Sequence, residues 1–258
     1  MTSRSYELAL MPVDLSGINR RLGIMQRHDD LTHEISTSSS DEAAFTILKE
    51  EAHRLGMDAV SWVLKPPVAF EDRKIATFDS YSPQWRERYF ENNYLACDPT
   101  VKHGLTSIRP LLWSETKALA PEFWEDADSF GLRVGFAQSL WDRHGNCSML
   151  SLSRDRMEFS QSELAVKLPQ LSWLALIAHT GMLRHIIPAE ALSAPAALSP
   201  RETETLQLVS TGMTSQQIAD RLRVTKATID RHMEAVRSKL QAENMVDAVV
   251  KAIRWGLI

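Results

Sequence analysis

The last sixty or so residues carry a succession of signals for the starts and ends of helices. Each of four segments begins with a residue that caps helix N-termini, and two place a glutamate or glutamine three residues later, which completes a capping box. Gly212 predicts the end of the first helix. Four helices therefore fit into residues 199–258, and this region is predicted to be all-α. The predicted caps are Ser199, Thr214, Thr225 and Asn244, with Glu202 and Gln217 completing the boxes.

Apolar residues at helical spacing indicate which faces of these segments are buried. A short helix, a turn and a longer, charged helix form the helix-turn-helix arrangement, whose second helix enters the major groove of DNA. The expected buried stripes are Ile229, Met233, Val236 and Leu240 on the third helix and Val246, Val249, Ile253 and Leu257 on the fourth.

The exposed face of the third helix has the chemistry to bind DNA. Lys226 and Arg237 are placed for phosphates, which give affinity without sequence preference. Arg231 can pair with guanine, and Asp230 or Glu234 can accept from a cytosine amino group. An ordinary solvated face is the alternative, but four capped helices in this order favour DNA. The predicted DNA-binding residues are Thr225, Lys226, Thr228, Asp230, Arg231, Glu234 and Arg237.

Composition and charge exclude several classes of protein. The formal net charge is −4, but the tail from Ser199 carries nine basic against seven acidic side chains, which suits a small domain that meets an anion. Cys97 and Cys147 form no C-x-x-C pair, so neither a zinc site nor a disulfide framework is indicated. No secretory signal is evident, and no stretch approaches the ~18–20 apolar residues that span a bilayer. We therefore expect a cytoplasmic protein.

The preceding residues mix strand and helix patterns, which predicts an α/β region with helices flanking a central sheet. Ser160 and Glu163 have the spacing of a capping box at the start of a long helix. The predicted strands are 58–64, 74–80, 132–141 and 147–155, and the predicted helices are 14–27, 41–56, 83–93, 121–130 and the one that begins at Ser160.

The tail also matches a known sequence pattern. LSPRETETLQLVSTGMTSQQIADRLRVTKATIDRHMEAVRSKL, with the closing GLI, resembles the LuxR-type DNA-binding domain over its whole length. One departure is that Asp230 and Glu234 stand where relatives often carry neutral or basic groups.

A second resemblance covers residues 41–185. W-x-x-x-Y, then Asp-Pro, then Trp resemble the autoinducer-binding domain of LuxR-type quorum-sensing regulators. This resemblance implies an α-β-α sandwich and an N-acyl homoserine lactone as ligand. The residues that carry it are Tyr81, Trp85, Tyr89, Asp98, Pro99, Trp113 and Gly135.

The resemblance also implies a role for each binding residue. Trp85 would donate to the lactone carbonyl, Asp98 would accept from the amide N–H, and Tyr81 with Ser151 would meet the acyl carbonyl. Thr100 would support Asp98 or bind a water. The apolar wall would consist of Tyr89, Trp113, Phe123 and Leu132.

Together these features predict a ligand-controlled transcription factor that binds palindromic promoter DNA as a homodimer. The two chains are expected to dimerise partly through the helix at 160–186. RNA polymerase is left open as a further partner, and no cofactor or metal is expected. The predicted domains are an extension at 1–40, the ligand-binding domain at 41–186, a linker with two prolines at 187–198 and the DNA-binding domain at 199–258.

Three alternatives remain at this stage. The same DNA-binding tail could serve a regulator of a different small molecule, or one that acts without ligand. An enzyme would need a base beside a thiol, and Cys97, Asp98 and His103 are close in sequence without forming a catalytic motif. A haem or metal sensor is disfavoured because the histidines are scattered without ligand spacing.

Overall fold

The computed structural model describes residues 27, 29–66, 75–187 and 197–258. Apart from residue 27, the helix expected around 14–27 lies outside the described residues, as does most of the linker expected at 187–198. Within the described ranges, no helix is both long and apolar enough to span a membrane.

A five-stranded antiparallel sheet organises the first two thirds of the chain, with strand order β2-β1-β5-β4-β3. The four strands expected from the sequence form, with ends shifted by one or two residues. The short strand β3 was not predicted, because two residues give no periodicity. The strands are β1 Ala59–Lys65, β2 Ala76–Asp79, β3 Leu111–Leu112, β4 Val134–Trp141 and β5 Cys147–Arg154.

Six α-helices accompany this sheet, and the sequence did not predict two of them, α1 and α4. Ser160 caps the long helix α6 as expected. Only half of the predicted capping box forms there, because the Glu163 carboxylate pairs with Arg154 at 2.6 Å instead. The helices are α1 29–37, α2 Asp41–Arg54, α3 Pro83–Glu91, α4 Pro99–Gly104, α5 Pro121–Ser129 and α6 Gln161–Ile186.

The two faces of the sheet differ in chemistry. On β1, Val60, Trp62 and Leu64 are buried among residues of α1, α2 and α6, and this layer is the main apolar core. Each such large side chain contributes about 1.5–3 kcal/mol on burial. The opposite face carries small or polar residues, including Ser61 and Ser151, and lies under α3, α4 and α5. The predicted arrangement of helices on both sides of a central sheet is therefore confirmed.

The C-terminal region consists of four helices, and its local signals were predicted correctly. All four predicted caps accept a backbone N–H from the third residue that follows them, and both predicted capping boxes form. The helices are α7 Pro200–Ser210, α8 Ser215–Leu222, α9 Lys226–Lys239 and α10 Met245–Arg254.

The buried face predicted for α10 was wrong at two of its four residues, whereas Val249 and Leu257 pack against the core. Val246 is 75% exposed and Ile253 is 57% exposed, whereas Ala248 and Ala252 are fully buried. Small alanines let α10 approach the other helices closely, and Val249 packs at the edge of this contact. The stripe predicted for α9 is correct, since Ile229, Val236 and Leu240 are buried and Met233 is half-buried.

An ion pair joins the start of α7 to the end of α9. The Glu202 carboxylate accepts from the Ser199 backbone N–H and from Lys239 Nζ, both at 2.7 Å. Lys239 Nζ also donates to the Ala197 carbonyl at 3.3 Å. Glu202 and Lys239 thus hold together the helical unit that presents the exposed face of α9.

Candidate ligand cavity and DNA-facing helix

A cavity of about 600 Å³ lies between the polar face of the sheet and helices α3 to α5. Its size is within the range of small-molecule sites, and most of its wall is apolar. All nine residues singled out from the sequence line this cavity, although they are spread over some seventy positions. They are Tyr81, Trp85, Tyr89, Asp98, Thr100, Trp113, Phe123, Leu132 and Ser151.

Asp98 is the buried acidic group of the cavity and the N-cap of α4. Its Oδ1 accepts from the Thr100 backbone N–H at 2.8 Å and from Thr100 Oγ1 at 2.7 Å. Its Oδ2 accepts from the Tyr89 hydroxyl at 3.0 Å. Burial raises the pKa of Asp98, and the hydrogen bonds from Thr100 offset part of that rise. The carboxylate is therefore fixed in position, and Oδ2, which accepts only the Tyr89 hydroxyl among these three bonds, has a lone pair left for a further donor.

Two tyrosines also place hydroxyl groups in the cavity. The Tyr81 hydroxyl lies beside the Ser151 hydroxyl, and burial raises the pKa of Tyr81 far above its ordinary value. Tyr89 was expected to supply only apolar wall, but it also donates to Asp98. Burial raises the pKa of Tyr89 as well, with the charge of Asp98 adding to the effect. Both hydroxyls remain protonated and able to donate.

Aromatic rings form the wall beside these polar groups. Trp85 stacks on Tyr94 with ring centroids 6.0 Å apart and lies 5.4 Å from Phe130. Trp113 lies 5.0 Å from Trp124, which also lines the cavity. Sequence reasoning missed Trp124, and also Tyr94 and Phe130, which pack against this wall without lining the cavity. Trp124 directly follows Phe123 in a helix, and this adjacency was the available signal.

The need for glycine at position 135 is steric. It lies on β4 directly under Trp113, and a Cβ added at this position would fall within the Trp113 ring system. Only glycine lets the indole lie against the strand. The glycine that the sequence pattern singled out is thus required by the shape of the cavity wall.

The cavity also reaches residues that the sequence did not indicate. One end is lined by Gly104, Ser139, Cys147 and Met149, where α4 ends against β4 and β5. Exposed apolar side chains also line the cavity, and they are Ile75, Phe90, Leu95 and Leu105.

The groups that an enzyme or a metal sensor would need have other partners. The Cys97 thiol lies 3.5 Å from the Tyr94 carbonyl, and the His103 ring lies 2.8 Å from the Arg109 carbonyl. In the part of the chain that the structure describes, no three His, Cys, Asp or Glu side chains are grouped to hold a metal ion.

Helix α9 exposes the charged residues predicted to meet DNA. Lys226 Nζ pairs with Asp230 at 2.7 Å, one turn along the helix. Arg237 donates to the Glu243 carbonyl at 2.9 Å. Arg231 is also exposed, and within the described ranges no carboxylate forms a salt bridge with it. Among these three cations, Lys226 pairs with a carboxylate and Arg237 with a backbone carbonyl, whereas no such contact of Arg231 is seen within the described ranges.

Two family models match the chain. Residues 40–182 match the autoinducer binding domain, and residues 196–252 match the bacterial regulatory proteins of the luxR family.

Relatives match over nearly the whole chain. The transcriptional activator protein AnoR of Acinetobacter nosocomialis is 31% identical, covering 89% of this chain and 98% of its own. The transcriptional activator protein SolR of Ralstonia nicotianae is 34% identical with the same coverage of both chains. A crystal structure of Escherichia coli SdiA has a TM-score of 0.64 at 26% identity, covering 91% of this chain and 99% of that one. SdiA in complex with octanoyl-rac-glycerol has a TM-score of 0.62 at 25% identity, covering 91% and 96%.

These matches cover both regions of the structure in their order along the chain. They describe transcriptional regulators and not enzymes. The chain therefore belongs to the LuxR family of quorum-sensing transcriptional regulators, with an autoinducer-binding domain followed by a helix-turn-helix domain.

Proposed function

We propose that this regulator binds an N-acyl homoserine lactone in the cavity at 41–186 and, as a dimer, binds palindromic promoter DNA through the domain at 199–258. The observation that carries the proposal is the buried Asp98 carboxylate, held by Thr100 and Tyr89 at the wall of an otherwise apolar cavity. A ligand for this site has a hydrogen-bond donor next to an apolar chain. The amide N–H and acyl chain of the lactone meet both requirements.

The remaining polar groups suit the rest of the lactone. Tyr81 and Ser151 donate to the acyl carbonyl, and the Trp85 indole N–H donates to the lactone carbonyl. Each of these partners matters because a buried polar atom left unpaired costs about 1–3 kcal/mol. Trp113, Phe123 and Leu132 surround the apolar part of the ligand.

Ligand binding controls DNA binding through stability. A ligand that binds only the folded chain stabilises it by mass action, by about 2.7 kcal/mol at a hundredfold excess over the dissociation constant. The stabilised protein dimerises, partly through α6, where Val166 and Leu176 are apolar and exposed. Two copies of α9 then reach half-sites about one helical turn apart. Because its target is promoter DNA, we place the protein in the cytoplasm.

The test is thermal unfolding of the purified full-length protein against homoserine lactones with short, long and aryl acyl groups. We expect one class of acyl group to raise the midpoint progressively with concentration, and the lactone without an acyl group serves as control. If no member shifts the midpoint of folded protein that still binds DNA, the lactone assignment is wrong.

Dimeric binding is tested separately on DNA. With the signal present, a palindrome should bind two chains, and inserting half a helical turn between its half-sites should weaken binding sharply. Equal affinity for both spacings would contradict the dimer. RNA polymerase recruitment is then measured by transcription from the same promoter.

A second candidate ligand is an acylglycerol, because SdiA has been solved with octanoyl-rac-glycerol. Such a molecule shares the acyl chain but lacks the amide N–H. Octanoylglycerol therefore belongs in the same thermal panel beside octanoyl homoserine lactone. A larger shift with the glycerol ester would assign the cavity to that class.

A further inference from the structure

A buried hydroxyl at one end of the cavity has no adequate partner. Ser139 lies on β4 and is 1% exposed. Its Oγ makes no hydrogen bond with a nitrogen or oxygen atom that the structure describes. The thiol of Cys147, a weak donor and acceptor, is close enough to interact with it. Most buried side-chain polar groups in proteins are hydrogen-bonded, so this hydroxyl on a cavity wall needs an explanation.

The position of Ser139 follows from the strand register. Ala137 on β4 pairs with Ser151 on β5, and Ser139 pairs with Met149, two residues further along. At about 3.3 Å per residue, Ser139 lies roughly 7 Å from the level of Ser151. Helix α4 gives a similar distance, since its six residues lead from the Asp98 cap to Gly104 over about 9 Å. Ser139 thus lies well beyond the carbonyl-binding end.

Gly104 adds no side chain at this end of the cavity. A Cβ added at Gly104 would collide with Ser139 Oγ and come within 3.0 Å of Met149 Sδ. With glycine on α4 and a serine on β4, the Ser139 hydroxyl is the polar group at a wall otherwise made of small and sulfur-containing side chains. The thiol of Cys147 is kept neutral, since burial raises its pKa.

We propose that Ser139 is a specificity-determining residue that hydrogen-bonds a hydroxyl near the far end of the acyl group. The inference rests on the proposed lactone function and names the class of acyl chain. With carbon–carbon bonds of about 1.5 Å, an extended chain covers the distance from Ser151 to Ser139 in roughly five or six bonds. A hydroxyl both donates and accepts, so it pairs with a serine in either direction. Both an ω-hydroxyalkanoyl group and a para-hydroxyaryl group reach this position.

The test compares two matched pairs of ligands on the full-length protein. These are ω-hydroxyhexanoyl against hexanoyl homoserine lactone, and para-hydroxycinnamoyl against cinnamoyl homoserine lactone. Dissociation constants come from the concentration dependence of the unfolding midpoint. In at least one pair, we expect the hydroxylated member to bind about tenfold more tightly to the wild type, because it satisfies a buried hydroxyl. Ser139→Ala should bring this ratio to about one and leave the affinity for the plain member unchanged.

A matched control variant is available on the neighbouring strand. Ser153 is also 1% exposed and its Oγ is also unpaired among the described residues, but it does not line the cavity. Ser153→Ala should keep the tenfold ratio. Both alanine variants should fold with midpoints close to that of the wild type, because neither hydroxyl hydrogen-bonds a nitrogen or oxygen atom among the described residues.

The outcomes separate the two proposals. Equal affinities within both pairs in the wild type would overturn the role of Ser139 while leaving the lactone function intact. A preference that persists in Ser139→Ala would also overturn it, because another group would then recognise the hydroxyl. Failure of every lactone to bind would overturn the proposed function itself, and this inference with it.

Discussion

Asp98 offers a sharp perturbation, because its alanine and asparagine variants remove different interactions. Alanine removes the N-cap of α4 and leaves the Thr100 and Tyr89 hydroxyls without their acceptor. Asparagine is as good a helix cap as aspartate, and its remaining oxygen still accepts both hydrogen bonds from Thr100. Asparagine therefore removes mainly the charge and the second acceptor oxygen.

The two variants should differ clearly in stability without ligand. Loss of an N-cap costs about 0.5–2 kcal/mol, and each buried hydroxyl left unpaired costs about 1–3 kcal/mol. For Asp98→Ala we therefore expect a loss of about 3 kcal/mol or more in the free energy of unfolding, which also abolishes the ligand response indirectly. For Asp98→Asn we expect a loss of about 1 kcal/mol, which is about 2–4 °C in the midpoint for a protein of this size.

For ligand affinity, Asp98→Asn is the more informative of the two variants. In Asp98→Asn the lactone amide N–H faces a side-chain amide in place of a carboxylate oxygen. Hydrogen bonds to charged groups contribute about 1.5–3 kcal/mol, so we expect a loss of affinity of roughly ten- to a hundredfold. The variant is still folded, and the loss is therefore attributable to the carboxylate.

The assay combines urea unfolding without ligand and thermal unfolding with increasing lactone. Asp155→Asn is the matched control, because Asp155 is an exposed acid whose charge is paired with Arg133 at 3.4 Å. This control should respond to the lactone as the wild type does. A lactone response of Asp98→Asn with wild-type concentration dependence would refute the assignment of Asp98 as the amide acceptor.

The raised pKa of Asp98 adds a dependence on pH with a definite sign. Because burial raises this pKa in the folded chain, the contribution of Asp98 to stability is fully present below its unfolded pKa of about 3.8–3.9. That contribution is lost as the pH rises through the higher folded pKa. An amide donor from the ligand stabilises the carboxylate, so the lactone should raise the midpoint more at neutral pH than in mildly acidic buffer. Asp98→Asn should show no such difference.

Three further variants test other parts of the structure. Arg231→Ala should lower affinity for the operator by about 1–3 kcal/mol and leave random DNA nearly unaffected, measured by competition binding, whereas equal losses would identify a phosphate contact. Gly135→Ala should cost about 1–3 kcal/mol in urea unfolding and abolish the lactone response, because the new methyl group displaces Trp113. Gly212→Ala meets no atom within 4 Å and should cost only the strain of its positive φ, leaving the response intact. Cys97→Ser should leave the response unchanged in a reporter assay, and a complete loss would point to a role for the thiol.

The helical region was predictable because its signals are local. Whether Ser199 or Thr225 caps a helix depends on groups within three residues, and the sequence shows these groups directly. The choice of buried face on α10 is not local. Val246 and Ile253 are more apolar than Ala248 and Ala252, yet the alanines face the core because the helices pack closely there. Helical spacing alone could not separate these two stripes.

The polar groups of the cavity were predictable only where a family pattern pointed to them. Ser151 was identified by resemblance, whereas Ser139 and Gly104 carried no signal of their own. Their importance arises from the pairing of β4 with β5 and from the end of α4 lying against both strands. Tyr89 was identified as a residue of the site, but its hydrogen bond to Asp98 depends on how α3 is placed over α4.

The alternation of CSMLSLSR on β5 shows how the fold changes the meaning of a pattern. Alternating polar and apolar residues are typical of a strand with one face in water. Here β5 is the central strand of the sheet, and Ser148, Ser151 and Ser153 are all buried. Ser148 has a partner, since it lies 2.7 Å from His179 of α6, on the side of the main core. On the opposite side, the sheet is covered without being filled, so Ser151 faces a cavity instead of water, whereas Ser153 is buried without lining it. A strand with an apparently solvent-facing pattern, in a sheet that helices cover on both faces, thus indicates a ligand site, because a ligand takes the place that water has on an open sheet face.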